Sequence, residues 1–292
     1  MQLITQCPIC QSKRISPYAM KFQEGSPHIS RTICKSCTIV FANPMATAGE
    51  LLDFYKNYYD KGNFGALDYK KRVVEKFEMI VSASPDKLKK NYPYLLKNKQ
   101  TGNFLDVGFG LGEQLYVCHQ LGFKVYGTEF DKDCINFLTP YLPDAELFCG
   151  DLLSAAYDDH FFDLINVCHV IEHLIDPVSY IMELKRIIKP GGILIISTPD
   201  IGAWPYRLFR LLNFLSFKVP LIVEGLEHTI IFNKKNLSDF LTGNELIVIE
   251  HYSESVHDSW SSIRKSNMGL LKKVLRFCQT KLKINQVIIC RN

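Results

Sequence analysis

The spacing of apolar positions changes near residue 103. Beyond it, short apolar runs of strand length alternate with longer stretches in which apolar residues recur at helical spacing. The runs lie at 104–107, 124–127, 145–148, 164–168 and 192–197, with two more at 246–251 and 286–290, and the helical stretches include 114–121 and 178–188. This alternation predicts right-handed βαβ crossovers. We therefore expect an α/β fold with a seven-stranded, mostly parallel sheet and helices on both faces.

Changes in composition and in the spacing of apolar residues divide the chain into three segments. Residues 1–45 are rich in cysteine, proline and serine and have only short apolar runs, which suits a small module without a large core of its own. Residues 46–100 show helical spacing and predict a helical bridge. Residues 101–292 form the predicted α/β domain, which includes a candidate lid insertion at 203–235 and a helix expected at 260–282.

Composition and charge narrow the class of protein. The 292 residues are 47% hydrophobic and 22% charged, which is typical of a folded globular chain. The net charge, 34 − 30 = +4, is too small to predict a nucleic-acid-binding protein. The N-terminus lacks a secretory signal and no apolar run is long enough to span a membrane, so we expect a cytoplasmic protein. The apolar stretch 203–223 carries three cations, and it is interpreted as a lid, a core helix or a peripheral membrane contact.

Four of the ten cysteines form two closely spaced pairs. Cys7 and Cys10 make one Cys-x-x-Cys pair, and Cys34 and Cys37 make the other. Two such pairs supply four thiolates, which complete a tetrahedral Zn2+ shell. This shell has no open position for water, so the predicted zinc is structural. The cysteines without paired spacing are expected to be small core residues. They are Cys118, Cys134, Cys149, Cys168, Cys278 and Cys290.

A glycine-rich loop follows the first predicted strand of the α/β domain. Gly108, Gly110 and Gly112 permit a close approach of the backbone to a ligand. The carboxylates of Asp106 and Glu113 flank this loop and would repel a pyrophosphate, which disfavours a nicotinamide oxidoreductase. A cationic ligand would be attracted instead. S-adenosylmethionine carries a sulfonium and an ammonium and has no phosphate.

Acidic residues also follow the next two predicted strands. Glu129 ends the second strand, and a carboxylate there accepts hydrogen bonds from a ribose diol. Asp151 follows the third strand, where it and Leu152 are placed to contact an adenine ring. Each acid alone is equally consistent with a helix cap or a loop residue. Acids at three successive strand ends favour a single nucleoside-binding site.

Together, these motifs resemble class I S-adenosylmethionine-dependent methyltransferases over about residues 100–200. The resemblance implies a Rossmann-like fold in which Asp106 and the three loop glycines line the methionine end of the cofactor. It also implies that Glu129 holds the ribose, that Asp151 and Leu152 meet adenine, and that Tyr59 covers the cofactor. The paired cysteines are similar to those of bacterial methyltransferases that act on sugars and other small molecules. The implied cofactor-binding residues are Tyr59, Asp106, Gly108, Gly110, Gly112, Glu129, Phe130, Asp151 and Leu152.

Candidate catalytic residues cluster after the fourth predicted strand. His169 is a candidate general base, because an imidazole exchanges protons near neutral pH, and Glu172 and His173 follow one turn later. His228 lies in a second Glu-His pair. In quinone-precursor O-methyltransferases of this superfamily, a Glu takes the position of His169 and joins the Glu-His pair around a divalent cation. That acid is missing here, which argues against such a cation and against a quinone-type phenol. Glu172 and His173 are also consistent with a purely structural hydrogen-bonding pair.

The sequence therefore predicts an S-adenosylmethionine-dependent methyltransferase that acts on a small-molecule acceptor. The expected reaction is O-methylation of a sugar or a lipid-linked intermediate. An RNA methyltransferase that grips RNA through the zinc module stays open, because cations recur in the tail at 264–291. A non-catalytic scaffold that binds the cofactor is the other alternative. Nucleic acid is not an expected partner, and the sequence does not predict an oligomeric state.

Overall fold

The computed structural model describes residues 1–18, 29–55, 67–96, 101–214, 227–255 and 283–292. The predictions that fall outside these ranges concern the helix at 260–282 with Cys278, the role of Tyr59, and the part of the candidate lid at 215–226. Of the predicted helical segment, residues 46–55 and 67–96 are described, and all seven predicted strands fall within the described residues.

The main sheet has seven strands in the order β10-β11-β8-β7-β4-β5-β6. The central pairs β4·β5, β4·β7 and β5·β6 are parallel. Apolar side chains of β4, β7 and β8 are buried, as expected for central strands of a covered parallel sheet. The α/β architecture and the seven-stranded, mostly parallel sheet are thus confirmed. The strands are β4 Gly102–Val107, β5 Phe123–Glu129, β6 Glu146–Cys149, β7 Phe162–Cys168, β8 Ile188–Pro199, β10 Ile247–Ser255 and β11 Lys283–Arg291.

Helices fill the connections between strands and the segment before the sheet. Pro85 begins one of them, where its fixed φ suits a helix start, and Ser84 caps that helix by accepting a hydrogen bond from the Lys87 amide. The helices of the described residues are α1 Ala48–Tyr55, α2 Leu67–Val81, α3 Pro85–Asn91, α4 Pro93–Leu96, α5 Glu113–Gln120, α6 Lys132–Leu138, α7 Pro177–Ile187, α8 Trp204–Phe214 and α9 Lys234–Gly243. None of them is long and apolar enough to cross a bilayer.

A second sheet is formed by the segment that carries the cysteine pairs and by one strand from much later in the chain. Strands β1 Ile15–Tyr18, β2 Ser30–Cys34 and β3 Val40–Asn43 are antiparallel neighbours. Strand β9, Ile230–Ile231, then pairs antiparallel with β3. Both residues of β9 are buried, so this short strand covers an edge that residues 1–45 alone would leave open.

Two compact units are distinguished along the chain. Unit 1 contains residues 1–53, 169–179 and 197–288, and unit 2 contains residues 54–168, 180–196 and 289–292. Each unit is built from separate stretches of sequence, whereas the predicted domains were contiguous. The boundaries at 45 and 100 stay a prediction.

Helix α8 belongs to the candidate lid and leaves several apolar side chains exposed. Trp204 is 60% exposed, and Leu208 and Leu211 are also exposed, at spacings of four and three residues. Tyr206, in contrast, is buried. A simple core helix would not expose this face, so the interpretations as a lid or as a peripheral membrane contact stay predictions.

Candidate cofactor site and histidine cluster

The glycine loop lies in unit 2, between the end of β4 and the start of α5. Gly108, Gly110 and Gly112 have φ values of 66°, 58° and 79°, which favour glycine. Gly112 is the N-cap residue of α5. The loop therefore turns sharply between strand and helix at the carboxyl end of the sheet.

Asp106 is the buried acid at the end of β4. It lies opposite Gly127 of β5 and Asn166 of β7 in the parallel register. Its Oδ1 accepts a hydrogen bond of 2.8 Å from Asn166 Nδ2, and its Oδ2 is buried with no hydrogen-bond partner among the described residues. Burial, with a smaller contribution from the charges of Glu129 and Glu113, raises the pKa of Asp106 to about 7. A bound cation would supply the missing partner and favour the ionised form.

Glu129 ends β5 and its carboxylate folds back onto the glycine loop. Oε2 accepts a hydrogen bond of 2.8 Å from the Gly110 amide. Oε1 accepts one of 2.7 Å from the Phe130 amide and one of 3.1 Å from the Asp131 amide. Burial raises the pKa of Glu129, and these backbone hydrogen bonds oppose that shift. A carboxylate has about four acceptor sites, so one position is left for a further donor such as a ribose hydroxyl.

The charge of Glu113 is balanced within the protein. Lys76 Nζ lies 2.7 Å from Glu113 Oε2, and the Tyr92 hydroxyl donates a hydrogen bond to Oε1. The sequence argument treated Glu113 as a charge that faces the ligand. Lys76 of α2 offsets part of that charge, although Glu113 still contributes to the raised pKa of Asp106. The case for a cationic ligand therefore rests mainly on Asp106.

The other predicted cofactor-binding residues, Phe130, Asp151 and Leu152, have different exposures. Phe130 is 38% exposed, and its ring stacks against Tyr55 with centroids 6.4 Å apart and planes 16° apart. Asp151 precedes the short 3-10 helix Leu152–Ser154, and burial raises its pKa. Leu152 is fully buried. Tyr55 is thus the aromatic residue that the structure places beside Phe130, whereas Tyr59 lies outside the described residues.

His169 lies in unit 1 and directly follows β7 in the chain. Its backbone φ is 55°, a left-handed conformation that is uncommon outside glycine. His169 Nδ1 lies 3.1 Å from Glu172 Oε1, and its Nε2 lies 3.3 Å from Asn285 Nδ2. Because the Asn285 amide is a donor, the proton of a neutral His169 lies on Nδ1 and the lone pair on Nε2. This is the tautomer that presents Nε2 as a base.

Glu172 is a buried carboxylate at the centre of this cluster. Its Oε2 accepts a hydrogen bond of 2.8 Å from Thr198 Oγ1. Burial alone would raise the pKa of Glu172, but the hydrogen bond from His169 and the charges of the neighbouring histidines lower it to about 2. The side chain is therefore ionised at neutral pH.

His173 and His228 complete the cluster in unit 1. Their ring centroids are 4.8 Å apart, and His173 Nδ1 lies 2.9 Å from the carbonyl oxygen of Glu227. His228 is buried, and burial holds its pKa well below the ordinary value. Arg31 of β2 donates a hydrogen bond from Nη1 to the His228 carbonyl. The structure thus brings all four predicted catalytic residues together.

The four paired cysteines also meet within unit 1. The Sγ atoms of Cys7 and Cys37 are 3.5 Å apart, and those of Cys10 and Cys34 are 3.6 Å apart. All four lie within 4.8 Å of one another. A disulfide would place sulfurs about 2 Å apart, whereas a tetrahedral zinc with Zn–S bonds of about 2.3 Å needs about 3.8 Å between sulfurs. The donor set therefore fits a zinc ion.

The interpretation of the remaining cysteines was correct only in part. Cys118, Cys134 and Cys290 are buried, as expected for small core residues. Cys149, however, is exposed, because it ends the short strand β6 at the edge of the sheet. Cys168 is half-buried, and Cys278 lies outside the described residues.

Sequence reasoning missed the polar residues that hold the predicted ones in place. Asn166 is a polar residue inside an otherwise apolar strand, and that interruption was an available signal. Thr198 and Asn285 lie on β8 and β11, far from Glu172 and His169 in the sequence. Arg31 and His228 are 197 residues apart, and the sequence carries no signal of that contact.

Comparison with known proteins places this site in a recognised domain. The family model described as "Methyltransferase domain" matches residues 105–196. A probable S-adenosylmethionine-dependent methyltransferase from Mycolicibacterium smegmatis is 27% identical over 96 residues, which cover 33% of this chain and 37% of the relative. A demethylmenaquinone methyltransferase from Staphylococcus epidermidis is 25% identical over 158 residues, which cover 52% of this chain and 65% of the relative. The chain thus spans less than two thirds of the length of these relatives.

A solved structure has the same fold. It is the geranyl diphosphate C-methyltransferase from Streptomyces coelicolor in complex with Mg2+, geranyl-S-thiolodiphosphate and S-adenosyl-L-homocysteine. Its TM-score is 0.50 at 13% identity, over 70% of this chain and 75% of that one. Residues 105–196 thus match a methyltransferase-domain family model, and the solved structure shows that the fold is the same.

Proposed function

We propose that the protein transfers a methyl group from S-adenosylmethionine to a small-molecule acceptor. The observation that carries this proposal is the buried carboxylate of Asp106, whose Oδ2 has no partner among the described residues. A buried acid beside a glycine loop needs a cation, and the methionine end of this cofactor supplies an ammonium and a sulfonium. The methyltransferase-domain match over the same residues supports this assignment.

The binding roles follow from the position of each residue in unit 2. Asp106 and the glycines at 108, 110 and 112 hold the methionine end of the cofactor. Glu129 keeps one acceptor position for a ribose hydroxyl, in addition to its three backbone hydrogen bonds. Phe130 and Tyr55 offer aromatic faces to adenine, and Asp151 offers an acceptor for the adenine amino group.

We assign the acceptor chemistry to the histidine cluster. Methyl transfer to a hydroxyl breaks the sulfonium–methyl bond, forms an oxygen–methyl bond and releases the hydroxyl proton, with S-adenosylhomocysteine as the leaving group. His169 takes that proton on Nε2, where the acceptor hydroxyl replaces the long contact to Asn285. The ionised Glu172 stabilises the resulting imidazolium through Nδ1. His173 and His228 complete the acceptor site, and we propose a sugar or lipid-linked hydroxyl as the substrate class.

The four-cysteine set is proposed to hold a structural Zn2+. Hydrogen bonding with Cys37 lowers the pKa of the Cys7 thiol, which favours the thiolate form that binds a metal. Four thiolates close the zinc shell and leave no position for substrate. The role of the ion is to fix the two turns that carry the cysteines.

The binding half of the proposal is tested by isothermal titration calorimetry with S-adenosylmethionine. The wild-type chain is expected to bind, and Glu129→Gln to bind at least tenfold more weakly, because an amide cannot accept at both ends. Glu146→Gln is the matched control, since Glu146 is an exposed acid at the first residue of β6, whereas Glu129 lies beside the last residue of that strand. If the wild type does not bind, or if both variants bind equally well, the proposal is wrong.

The transfer half is tested with methyl-labelled cofactor and fractionated cell extract. Label in a small-molecule fraction that is lost in His169→Gln, with cofactor affinity unchanged, supports the proposal. Label in the RNA fraction identifies an RNA methyltransferase instead. Cofactor binding without label in any fraction identifies a non-catalytic scaffold.

A further inference from the structure

Three metal-ligating side chains of unit 1 converge at a point separate from the four cysteines. Glu172, His173 and His228 each offer one ligand atom, and these atoms all lie within 4.8 Å of one another. Glu172 and His228 are buried, and the His173 side chain is only 18% exposed. Two imidazoles and one carboxylate form a donor set that binds divalent transition metals in many proteins.

The hydrogen bond of His173 sets which of its nitrogens can act as a ligand. Its Nδ1 donates to the Glu227 carbonyl at 2.9 Å, so in a neutral ring the lone pair lies on Nε2. That nitrogen lies 4.0 Å from Glu172 Oε1. A nitrogen lone pair and a carboxylate oxygen that face the same small volume together attract a cation. A backbone carbonyl that accepts from the other ring nitrogen is also the usual way in which a metal-bound histidine is oriented.

A ring nitrogen of His228 gives independent support for a metal at this cluster. Its Nδ1 is buried and makes no hydrogen bond within the part of the chain that the structure describes. The nearest carboxylate, Glu227 Oε1, lies 3.5 Å away. The carbonyl of His228 is held by Arg31, so the residue is fixed from the backbone side.

We propose that Glu172, His173 and His228 bind one divalent transition-metal ion, such as Zn2+. The sequence argued against a divalent cation here, because position 169 is a histidine and not an acid. In the structure, His228 supplies a third ligand from another part of unit 1. Imidazole ligands favour Zn2+, Co2+ or Fe2+ over Mg2+. Three protein ligands leave a position open for water or an oxygen of the acceptor. His169 stays outside the set and orients Glu172 through the hydrogen bond to Oε1.

Metal binding requires a modest closure of the three side chains. Ligand distances of about 2.0–2.2 Å need ligand atoms about 3.3–3.5 Å apart in a tetrahedral site. The side chains must therefore approach by about 1 Å, within the reach of rotations of Glu172 and the two rings. This proposal does not rest on the proposed methyl transfer, because it concerns only the residues of one unit.

Cobalt titration of the metal-free full-length chain tests the proposal. The wild type is expected to bind two equivalents of Co2+. One gives the intense thiolate-to-cobalt absorption of the cysteine set, and the other gives only the weaker bands of nitrogen and oxygen ligands. Glu172→Gln and His173→Gln should each lose the second equivalent and keep the thiolate band, which also reports that unit 1 is folded. His160→Gln, an exposed histidine outside the cluster, should keep both.

Two results would overturn the assignment. One is a wild-type protein that binds only the thiolate-coordinated equivalent. The other is a second equivalent that survives in both Glu172→Gln and His173→Gln. A methyltransferase assay reads out separately, so failed methyl transfer with intact cobalt stoichiometry would count against the proposed function alone.

Discussion

Asp106 makes cofactor affinity dependent on pH. In the free protein its pKa is about 7, because the side chain is buried. A cationic cofactor binds the ionised form, so binding should weaken as the pH falls below about 7, by up to tenfold per pH unit. Asp106→Asn should bind more weakly at neutral pH and lose this pH dependence. Calorimetric titrations between about pH 5.5 and 8.5 measure both effects.

The Asp106 carboxyl should also make the stability of the cofactor-free protein depend on pH. The ordinary pKa of an aspartate is 3.8 and the folded value is about 7, so the folded state binds more protons between these values. The free energy of unfolding should therefore fall as the pH rises through this window, by up to about 1.4 kcal/mol per pH unit. Asp106→Asn should flatten this slope, whereas the control Asp158→Asn, at an exposed acid, should keep it. Equal slopes in both variants would contradict the assignment.

Individual residues differ in how far the sequence could place them. Asp106 and Glu129 end strands whose apolar pattern is clear, so their meeting at one sheet edge was predictable. Their hydrogen-bond partners were not, because neighbouring strands in a parallel sheet are separated by a whole crossover. Asn166, which bonds Asp106, lies 60 residues further along the chain. The charge of Glu113 was misjudged for the same reason, since Lys76 belongs to a different element.

Among the elements, the turn from β4 into α5 depends on the absence of a side chain at Gly112. Its φ is +79°, and an added Cβ would lie 2.3 Å from a methyl carbon of the buried Leu138 on α6. Gly112→Ala should cost about 1–2 kcal/mol for the backbone conformation and about 1–3 kcal/mol more for the clash. Urea unfolding monitored by circular dichroism measures the loss.

Gly122 offers a matched control for this turn. Its φ is also positive, at +94°, but no atom lies within 4 Å of a Cβ added at this position. Gly122→Ala should therefore show the backbone cost without the clash. In a Gly112→Ala background, Leu138→Ala should cost less than it does in the wild type, because it removes the clashing methyl groups. Equal losses at the two glycines would show that packing against α6 does not constrain the loop.

Apolar patterns located the elements but underestimated their lengths. The predicted run at 192–197 is the middle of β8, which extends from Ile188 to Pro199. The extension includes Lys189, Pro190 and Gly191, which have low strand propensity in isolation. Strand pairing with its neighbours overrides that preference, since the backbone groups of a sheet find partners regardless of side-chain type. Helix α5 matched its prediction within a residue at each end, because it has both a regular pattern and a glycine N-cap.

At the scale of the whole molecule, the main gap in the sequence argument concerns the cysteine module. Its boundary at residue 45 was drawn from composition, and composition does not detect pairing between distant segments. In unit 1, Val40 and Phe41 of β3 pair with Ile231 and Ile230 of β9. The two residues of β9 are too short a run to be recognised as a strand. The cysteine module is therefore connected, within unit 1, to the segment that carries His228.

This connection predicts that loss of the proposed structural zinc loosens the His228 segment. Cys10 is the exposed member of the cysteine set, so Cys10→Ser removes a ligand with little direct effect on packing. Because the Ala42 amide donates to the Thr229 carbonyl and Arg31 donates to the His228 carbonyl, disorder in β2 and β3 should reach β9. Hydrogen exchange of the Ala42 and β9 amides should accelerate at least about tenfold.

The choice of variant and control isolates the cysteine site from the proposed second ion. A chelator would remove both metals, whereas Cys10→Ser leaves Glu172, His173 and His228 unchanged. Cys149→Ser, at another exposed cysteine, should leave exchange at β9 unaltered. Amides of β4 in unit 2 serve as an internal reference, because their protection does not depend on the cysteine module. Unchanged exchange at β9 in metal-depleted Cys10→Ser would mean that pairing with β3 is not what orders the His228 segment.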